Sequence, residues 1–214
     1  MRAGIVNYRM GNLASVAKAL EKVGADSFVS ASPAALEQSD LVVLPGVGNF
    51  AAGMENLRAA GLDGFVKDWS AASRPLLGIC MGMQMFFDHS EEGDTPGLGI
   101  LPGRVARLTG SEDAAGPTGN GRSGRDLKVP HMGWNTLGSA TGLFRSFEDR
   151  HFYFVHSYAC IPAGDVAAWT TYGVPFASAV VSGRVVGVQF HPEKSSHDGL
   201  ELLERTLDAV GSLD

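Results

Sequence analysis

The sequence predicts an α/β protein: a mostly parallel open sheet flanked by helices, with an added antiparallel strand section in the C-terminal half. Three observations carry this. Short apolar runs alternate with helical stretches through the first half, whereas later runs follow one another with only Gly and Pro turns between them. A chain of 214 residues, 44% hydrophobic and 19% charged, is long enough for one full core. Residues 1–214 therefore read as a single domain.

The elements follow in order. AGIVNY at 3–8 is the first strand. In NLASVAKALEKVG, Leu13, Val16, Leu20 and Val23 recur at helical spacing, with Asn12 to cap the start and Gly24 to end it. LVVLPG at 41–46 and PLLGIC at 75–80 repeat the strand signal, with a helical segment ENLRAAGLDGFVKDW between them. Strand, helix, strand in series implies parallel pairing with both faces covered. From Gly82 to Gly93 nothing breaks a helix, so one is expected to follow Cys80. HFYFVHSYAC, VAAWTTYG and FASAVVSGRVVGVQF are strands, the last folded at a tight Ser182-Gly183 hairpin. LELLERTLDAV closes the chain as a helix with Leu200, Leu203, Leu207 and Val210 on one stripe. GSEDAAGPTGNGRSGRD at 110–126 has no large apolar residue and is expected to be a mobile surface loop.

A formal charge of −6, with 17 scattered basic residues, disfavours nucleic acid or an anionic membrane as partner. The N-terminal MRAGIVNYRMGN lacks the apolar stretch of a signal peptide, because Asn7 and Arg9 interrupt it, and no later stretch approaches a membrane span. The expected location is the cytoplasm, where Cys80 and Cys160 stay free thiols.

G-I-C-M-G at 78–82 has the spacing of a nucleophile elbow with sulfur in place of oxygen. Side chains at Gly78 and Gly82 would collide with neighbouring backbone in such a turn. A helix N-terminus favours negative charge on the sulfur of Cys80, and the Met81 N–H is placed to bind an oxyanion. The motif alone is equally compatible with a small buried cysteine. A nucleophile also needs a base, and GVQFHPEKS at 187–195 offers one. In an extended chain His191 and Glu193 point to the same side with Pro192 fixing the backbone between them, so Glu193 can orient His191. His-Pro-Glu also suggests the H-x-E of zinc deaminases, but the P-C-x-x-C that supplies the remaining ligands is absent. Cys160 reads as a small buried group, and His89, His131, His151 and His197 show no metal-ligand pattern.

With GICMGMQ, PGVGNF and FHPEKS together, the chain resembles the class I, triad-type glutamine amidotransferases over essentially its whole length. NYRMGNLASVAKALEKVGA, KVPHMGWN and YFVHSY are similar to the glutaminase subunits of imidazole glycerol phosphate synthases. The resemblance implies Cys80, His191 and Glu193 as triad, Met81 with Val47 and Gly48 as oxyanion hole, and Gly48, Gln84, Glu92, His156, Ser157 and Tyr158 as glutamine-binding residues. It also implies, as partner, a (β/α)8-barrel cyclase subunit, with Asn12, Trp134, Tyr153 and Lys194 as candidates for the docking face, and no cofactor or metal. Two departures stand out: Asn7-Tyr8-Arg9 replaces the usual Asp-Tyr-Gly, and 110–126 looks like an insertion. The rival readings are an amidotransferase component serving GMP or anthranilate synthesis, a non-catalytic scaffold of the same fold, and a general cysteine hydrolase or redox sensor. The first should lack PHMGWN together with this N-terminal segment.

Overall fold

The computed structural model describes residues 1–109 and 127–211, with side chains described through 209. The loop expected at 110–126, and Val210 of the last helical stripe, therefore lie outside what is described. The first half runs β1 (Arg2–Val6), α1 (Leu13–Lys22), β2 (Asp26–Ser30), α2 (Pro33–Leu36), β3 (Leu41–Gly46), α3 (Phe50–Ala59), α4 (Leu62–Ala71), β4 (Leu76–Cys80) and α5 (Met81–Gln84). Then come β5 (His89–Ser90), β6 (Thr95–Pro96), β7 (Gly103–Arg107), β8 (His131–Thr136), β9 (His151–His156), β10 (Tyr158–Pro162), β11 (Ala168–Tyr172), β12 (Val174–Ser182), β13 (Val185–Val188) and α6 (Ser196–Gly211).

The main sheet has the order β2-β1-β3-β4-β13-β12-β10-β7-β5-β6, with β11 pairing on β12. Its first five strands are mutually parallel. From β13 onward the pairings with β12, β10 and β7 are antiparallel, which is the added section read from the second half. A separate two-stranded sheet pairs β8 with β9. HFYFVHSYAC is therefore two strands in two sheets, divided at Ser157, whose carbonyl accepts from the Leu108 N–H at 2.9 Å. The hairpin turn sits at Gly183-Arg184, one residue later than expected, because Ser182 already pairs with Val185 and Gly183 takes φ 56°.

Alternation sorts the strand side chains onto two faces. Ala3, Ile5, Val43, Leu77 and Ile79 join one core cluster with α1 and α6, while Val6, Val42, Leu44 and Leu76 join the other with α3, α4 and α5. The helix α1 shows how sequence sets such a layer. Asn12 accepts from the Ser15 N–H at 3.4 Å, Val16 and Leu20 recur on the buried face, and Gly24 at φ 87° ends the run. Burying Leu20 stabilises by roughly 2 kcal/mol. Truncating it to Ala would cost about 2–5 kcal/mol once the cavity is included.

Two helix expectations need correction. ENLRAAGLDGFVKDW is split between two helices because Gly61 adopts the left-handed region at φ 66°. The helix after Cys80 lasts only four residues. Met85, Phe86 and Phe87 are all buried, and their carbonyls accept from the N–H groups of Leu98, Ile100 and Gly99 at 2.8, 2.8 and 3.2 Å. Burial of three consecutive large side chains overrides local helical preference.

Candidate active site

Pairing of neighbouring parallel strands builds the site at their carboxyl ends. β3 and β4 align Gly46 with Cys80, so Val47 and Gly48 leave the sheet beside the nucleophile candidate. β4 and β13 align Ile79 with Val188, which brings Gln189 and then His191 to the same end. Cys80 adopts φ 55°, ψ −113°, a conformation that costs a non-glycine residue on the order of 1–3 kcal/mol. Its neighbours enforce the turn. A Cβ on Gly82 would lie 1.8 Å from the Leu44 carbonyl oxygen, and one on Gly78 would meet the Phe86 ring at 2.5 Å and Met83 Cα at 2.8 Å. The expected glycine constraint is present at both positions.

His191 Nδ1 lies 2.8 Å from Glu193 Oε1, and both side chains are about 1% exposed. The reason differs from the one expected. Pro192–Lys194 form a turn of 3-10 helix, closed by the Lys194 N–H on the His191 carbonyl at 3.0 Å, and this turn rather than an extended chain folds Glu193 back. The His191 N–H donates to the Tyr153 carbonyl at 2.9 Å, and the Ser195 hydroxyl to the His191 carbonyl at 2.6 Å, so the backbone that carries the ring is held from both sides. Nε2 is buried and makes no fully formed hydrogen bond. It is the ring nitrogen left for Cys80, whose hydrogen bonding and charge act on the imidazole. Burial would lower the pKa of His191, but Cys80 and Glu193 outweigh it and push it up to about 10.

The Cys80 sulfur contacts the Val155 carbonyl at 3.9 Å and receives Gln189 Nε2 at 3.7 Å. Gln84, nearly buried, donates to the Tyr158 carbonyl at 2.8 Å and to Gln189 Oε1 at 3.0 Å. His156 Nδ1 also meets the Tyr158 carbonyl, at 2.8 Å, while Ser157 and Tyr158 are half-buried. Gly48 takes φ 99°, in the region that favours glycine, and Val47 is half-buried beside it. Glu92 Oε2 accepts from the Phe50 N–H at 2.8 Å, so this carboxylate ties its loop to the start of α3, directly after Val47 and Gly48. The structure thus brings together Cys80, Met81, His191, Glu193, the Val47-Gly48 loop, Gln84, Glu92 and the 156–158 stretch.

Three contributors escaped sequence reasoning. Gln189 is fully buried inside an otherwise apolar run, and that isolated amide was its signal. Tyr8 donates its hydroxyl to the Pro45 carbonyl at 2.7 Å, and burial, then the charge of Cys80, push its pKa up. His131 packs at 4.0 Å on the Tyr172 ring and reaches His156 at 3.0 Å, and only its place in PHMGWN hinted at this.

Of the docking candidates, Trp134 is 51% exposed with its ring centroid 6.1 Å from that of Tyr153, and Lys194 Nζ lies 5.9 Å from the same ring. Exposed Met132 extends this patch, which borders His191 through the Tyr153 carbonyl. The Asn12 side chain caps its own helix. Cys160 is buried, and burial, then Cys80, push its thiol up. His197, read as patternless, stands with Asp198 and Glu201 so that one ligand atom of each lies within 4.8 Å of the others. Arg150 already pairs with both carboxylates and Arg205 with Glu201. A cavity of about 410 Å³ around Cys160, Trp169 and Phe176 contains none of the groups around Cys80, and it has no comparable convergence of polar groups. Among the described residues no helix is long and apolar enough to cross a membrane.

A strained cysteine at a strand end, beside a buried imidazole-carboxylate pair and on this sheet order, defines a class. The model of the glutamine amidotransferase class-I family matches residues 5–209, and the chain belongs to that family of enzymes. Among individual relatives, the "Imidazole glycerol phosphate synthase subunit HisH" of Halalkalibacterium halodurans is 45% identical over 206 residues, 94% of this chain and 92% of the relative. The protein of the same name from Bacillus subtilis is 43% identical over 205 residues, again 94% and 92%. Solved structures agree on the fold. A glutamine amidotransferase crystal structure superposes with a TM-score of 0.72 at 20% identity, covering 98% of each chain. The PurLQS structure from Thermotoga maritima gives 0.67 at 18% identity, also covering 98% of each chain.

Proposed function

We propose that the chain is the glutaminase subunit of an imidazole glycerol phosphate synthase, hydrolysing glutamine and passing ammonia to a (β/α)8-barrel cyclase subunit in histidine biosynthesis. The observation that carries the chemistry is Cys80 held at positive φ beside the His191–Glu193 pair. The identity to relatives bearing that subunit name supports the particular synthase.

The steps follow from the geometry. The Cys80 thiolate attacks the side-chain carboxamide carbon of glutamine, and the Met81 N–H with an N–H from Val47 or Gly48 stabilises the oxyanion. The C–N bond breaks as protonated His191 gives its proton to the departing nitrogen, releasing ammonia and a thioester. Neutral His191 then takes a proton from water, hydroxide attacks the thioester, and the thiolate leaves glutamate behind. Glu193 fixes the tautomer and stabilises the charged ring. Glu92 and the 156–158 stretch bind the amino-acid end of the substrate. The patch of Trp134, Tyr153 and Lys194 faces the cyclase, with Asn12 a further candidate for the docking face.

Cys80→Ala tests the assignment. Glutamine-dependent synthesis by the assembled enzyme should fall by at least about 10³-fold, while synthesis from free ammonia persists. Loss of both activities would give Cys80 a folding role instead and reject it as nucleophile.

A further inference from the structure

A buried amide in an apolar strand end is costly unless its donors and acceptor are used. Gln189 is 0% exposed, and its contacts are specific. The orientation of its amide is fixed by elimination. The Tyr158 carbonyl can only accept, so Gln84 must present its nitrogen there, at 2.8 Å. The same nitrogen's second proton is directed at the Gln189 side chain at 3.0 Å, so the Gln189 atom facing it is oxygen. The other end of Gln189 is then nitrogen, and it lies 3.7 Å from the Cys80 sulfur.

The Tyr158 carbonyl is itself held. His156 Nδ1 can approach it only as a donor, so His156 Nε2 accepts from His131 Nδ1 at 3.0 Å. His131 Nε2 in turn faces Asn135 Nδ2 at 3.3 Å. Both rings of this relay donate toward Tyr158, whose carbonyl only accepts and so leaves Gln84, and through it Gln189, a single amide orientation.

On the glutaminase reading above, we propose that Gln189 is a positioning residue with two effects: its amide N–H donates to the Cys80 sulfur, and its amide oxygen holds Gln84 so that only the Gln84 carbonyl oxygen faces the substrate. An acceptor in that place suits the NH2 of a carboxamide and repels a carboxylate. Gln189 thereby favours glutamine over its product glutamate without touching either.

Gln189→Met removes the donor at similar volume, and Gln189→Glu replaces it with an acceptor. Alkylation of Cys80 by iodoacetamide, followed on its own peptide by mass spectrometry across pH, reads the first effect. The pH of half-maximal alkylation should rise by about one unit in the Met variant and further in the Glu variant, since a hydrogen bond to a charged group is worth about 1.5–3 kcal/mol. In the complex with cyclase, kcat for glutamine should fall about tenfold or more, and glutamate should inhibit more strongly relative to the KM for glutamine. Folded variants with the wild-type alkylation profile would overturn the proposal. Failure of both variants to fold would also overturn it, leaving Gln189 a core strut. The alkylation order needs no glutamine, so absence of glutamine turnover in the wild-type complex would reject the glutaminase reading separately.

Discussion

The side chain of Cys80 sits at a backbone angle that its own Cβ disfavours, φ 55°. Strain of this kind persists only where surroundings over-determine it, here the contacts that exclude a Cβ at Gly78 and Gly82. Glycine at position 80 would relieve the strain, whereas alanine would keep it. Cys80→Gly should therefore be more stable than Cys80→Ala by about 1 kcal/mol in urea denaturation. Equal stabilities, or the reverse order, would remove the strain argument. Glu193 poses a second test at the same scale. Burial lowers the His191 pKa and Cys80 and Glu193 raise it, so in Glu193→Gln the balance tips down from about 10. In the proposed mechanism His191 acts as an acid on the leaving nitrogen, so the alkaline limb of glutaminase activity should move to lower pH, with kcat reduced by about 10²-fold. An unmoved alkaline limb would mean that another group supplies that proton.

Two glycines in different elements give opposite predictions. Gly64 lies in the exposed interior of α4, where an added Cβ meets nothing within 4 Å. Gly64→Ala should stabilise by about 0.5–1 kcal/mol through the unfolded chain's lost freedom. Gly82 has no such free space, because its Cβ would overlap the Leu44 carbonyl of β3. Gly82→Ala should cost about 3 kcal/mol or displace the elbow, visible as lost stability or lost Cys80 alkylation. Neutral behaviour at Gly82 would contradict the close β3–α5 packing. Contrasts of this sort mark how far the sequence could be read. The parallel strands 41–46 and 75–80, the cap at Asn12 and the Gly-flanked cysteine were legible because each rests on local pattern. The four-residue length of α5 was not, since it depends on where Met85, Phe86 and Phe87 find burial. The partition of 151–160 between two sheets, and the amide pair of Gln84 and Gln189, arise from contacts between residues far apart in the chain that no local period encodes. Arg9 is an intermediate case. It takes φ 65°, a region that favours glycine, at the position where the resemblance places glycine.

The buried histidines connect the site to the stability of the whole molecule, and they do so with opposite signs. Burial lowers His131 to about 4, and burial with the neighbouring charges of His131 and His191 lowers His156 to about 3 despite its bond to the Tyr158 carbonyl. Both are neutral when folded and take up protons on unfolding near the ordinary value of 6.5. Their stabilisation is present above 6.5 and is lost as pH falls toward 4. His191 is raised instead, so its contribution is full below 6.5 and fades only as pH climbs through about 10. It cannot offset the acid loss. Between pH 7 and pH 5 the two neutral rings together should withdraw about 4 kcal/mol of unfolding free energy, at a slope approaching about 1.4 kcal/mol per pH unit for each. That window lies above the range in which ordinary carboxylates titrate. Urea denaturation at pH 7, 6 and 5 measures the slope directly; half the expected slope would mean that one ring is charged in the folded state, and a flat stability that both are. The directed chain from Asn135 to the Tyr158 carbonyl requires both rings neutral, because a protonated imidazole has no acceptor left. Acid should loosen Gln84 only where the folded rings themselves take up protons, near 4 for His131 and 3 for His156, so the KM for glutamine should stay flat while stability falls between pH 7 and pH 5 and rise only below about pH 5.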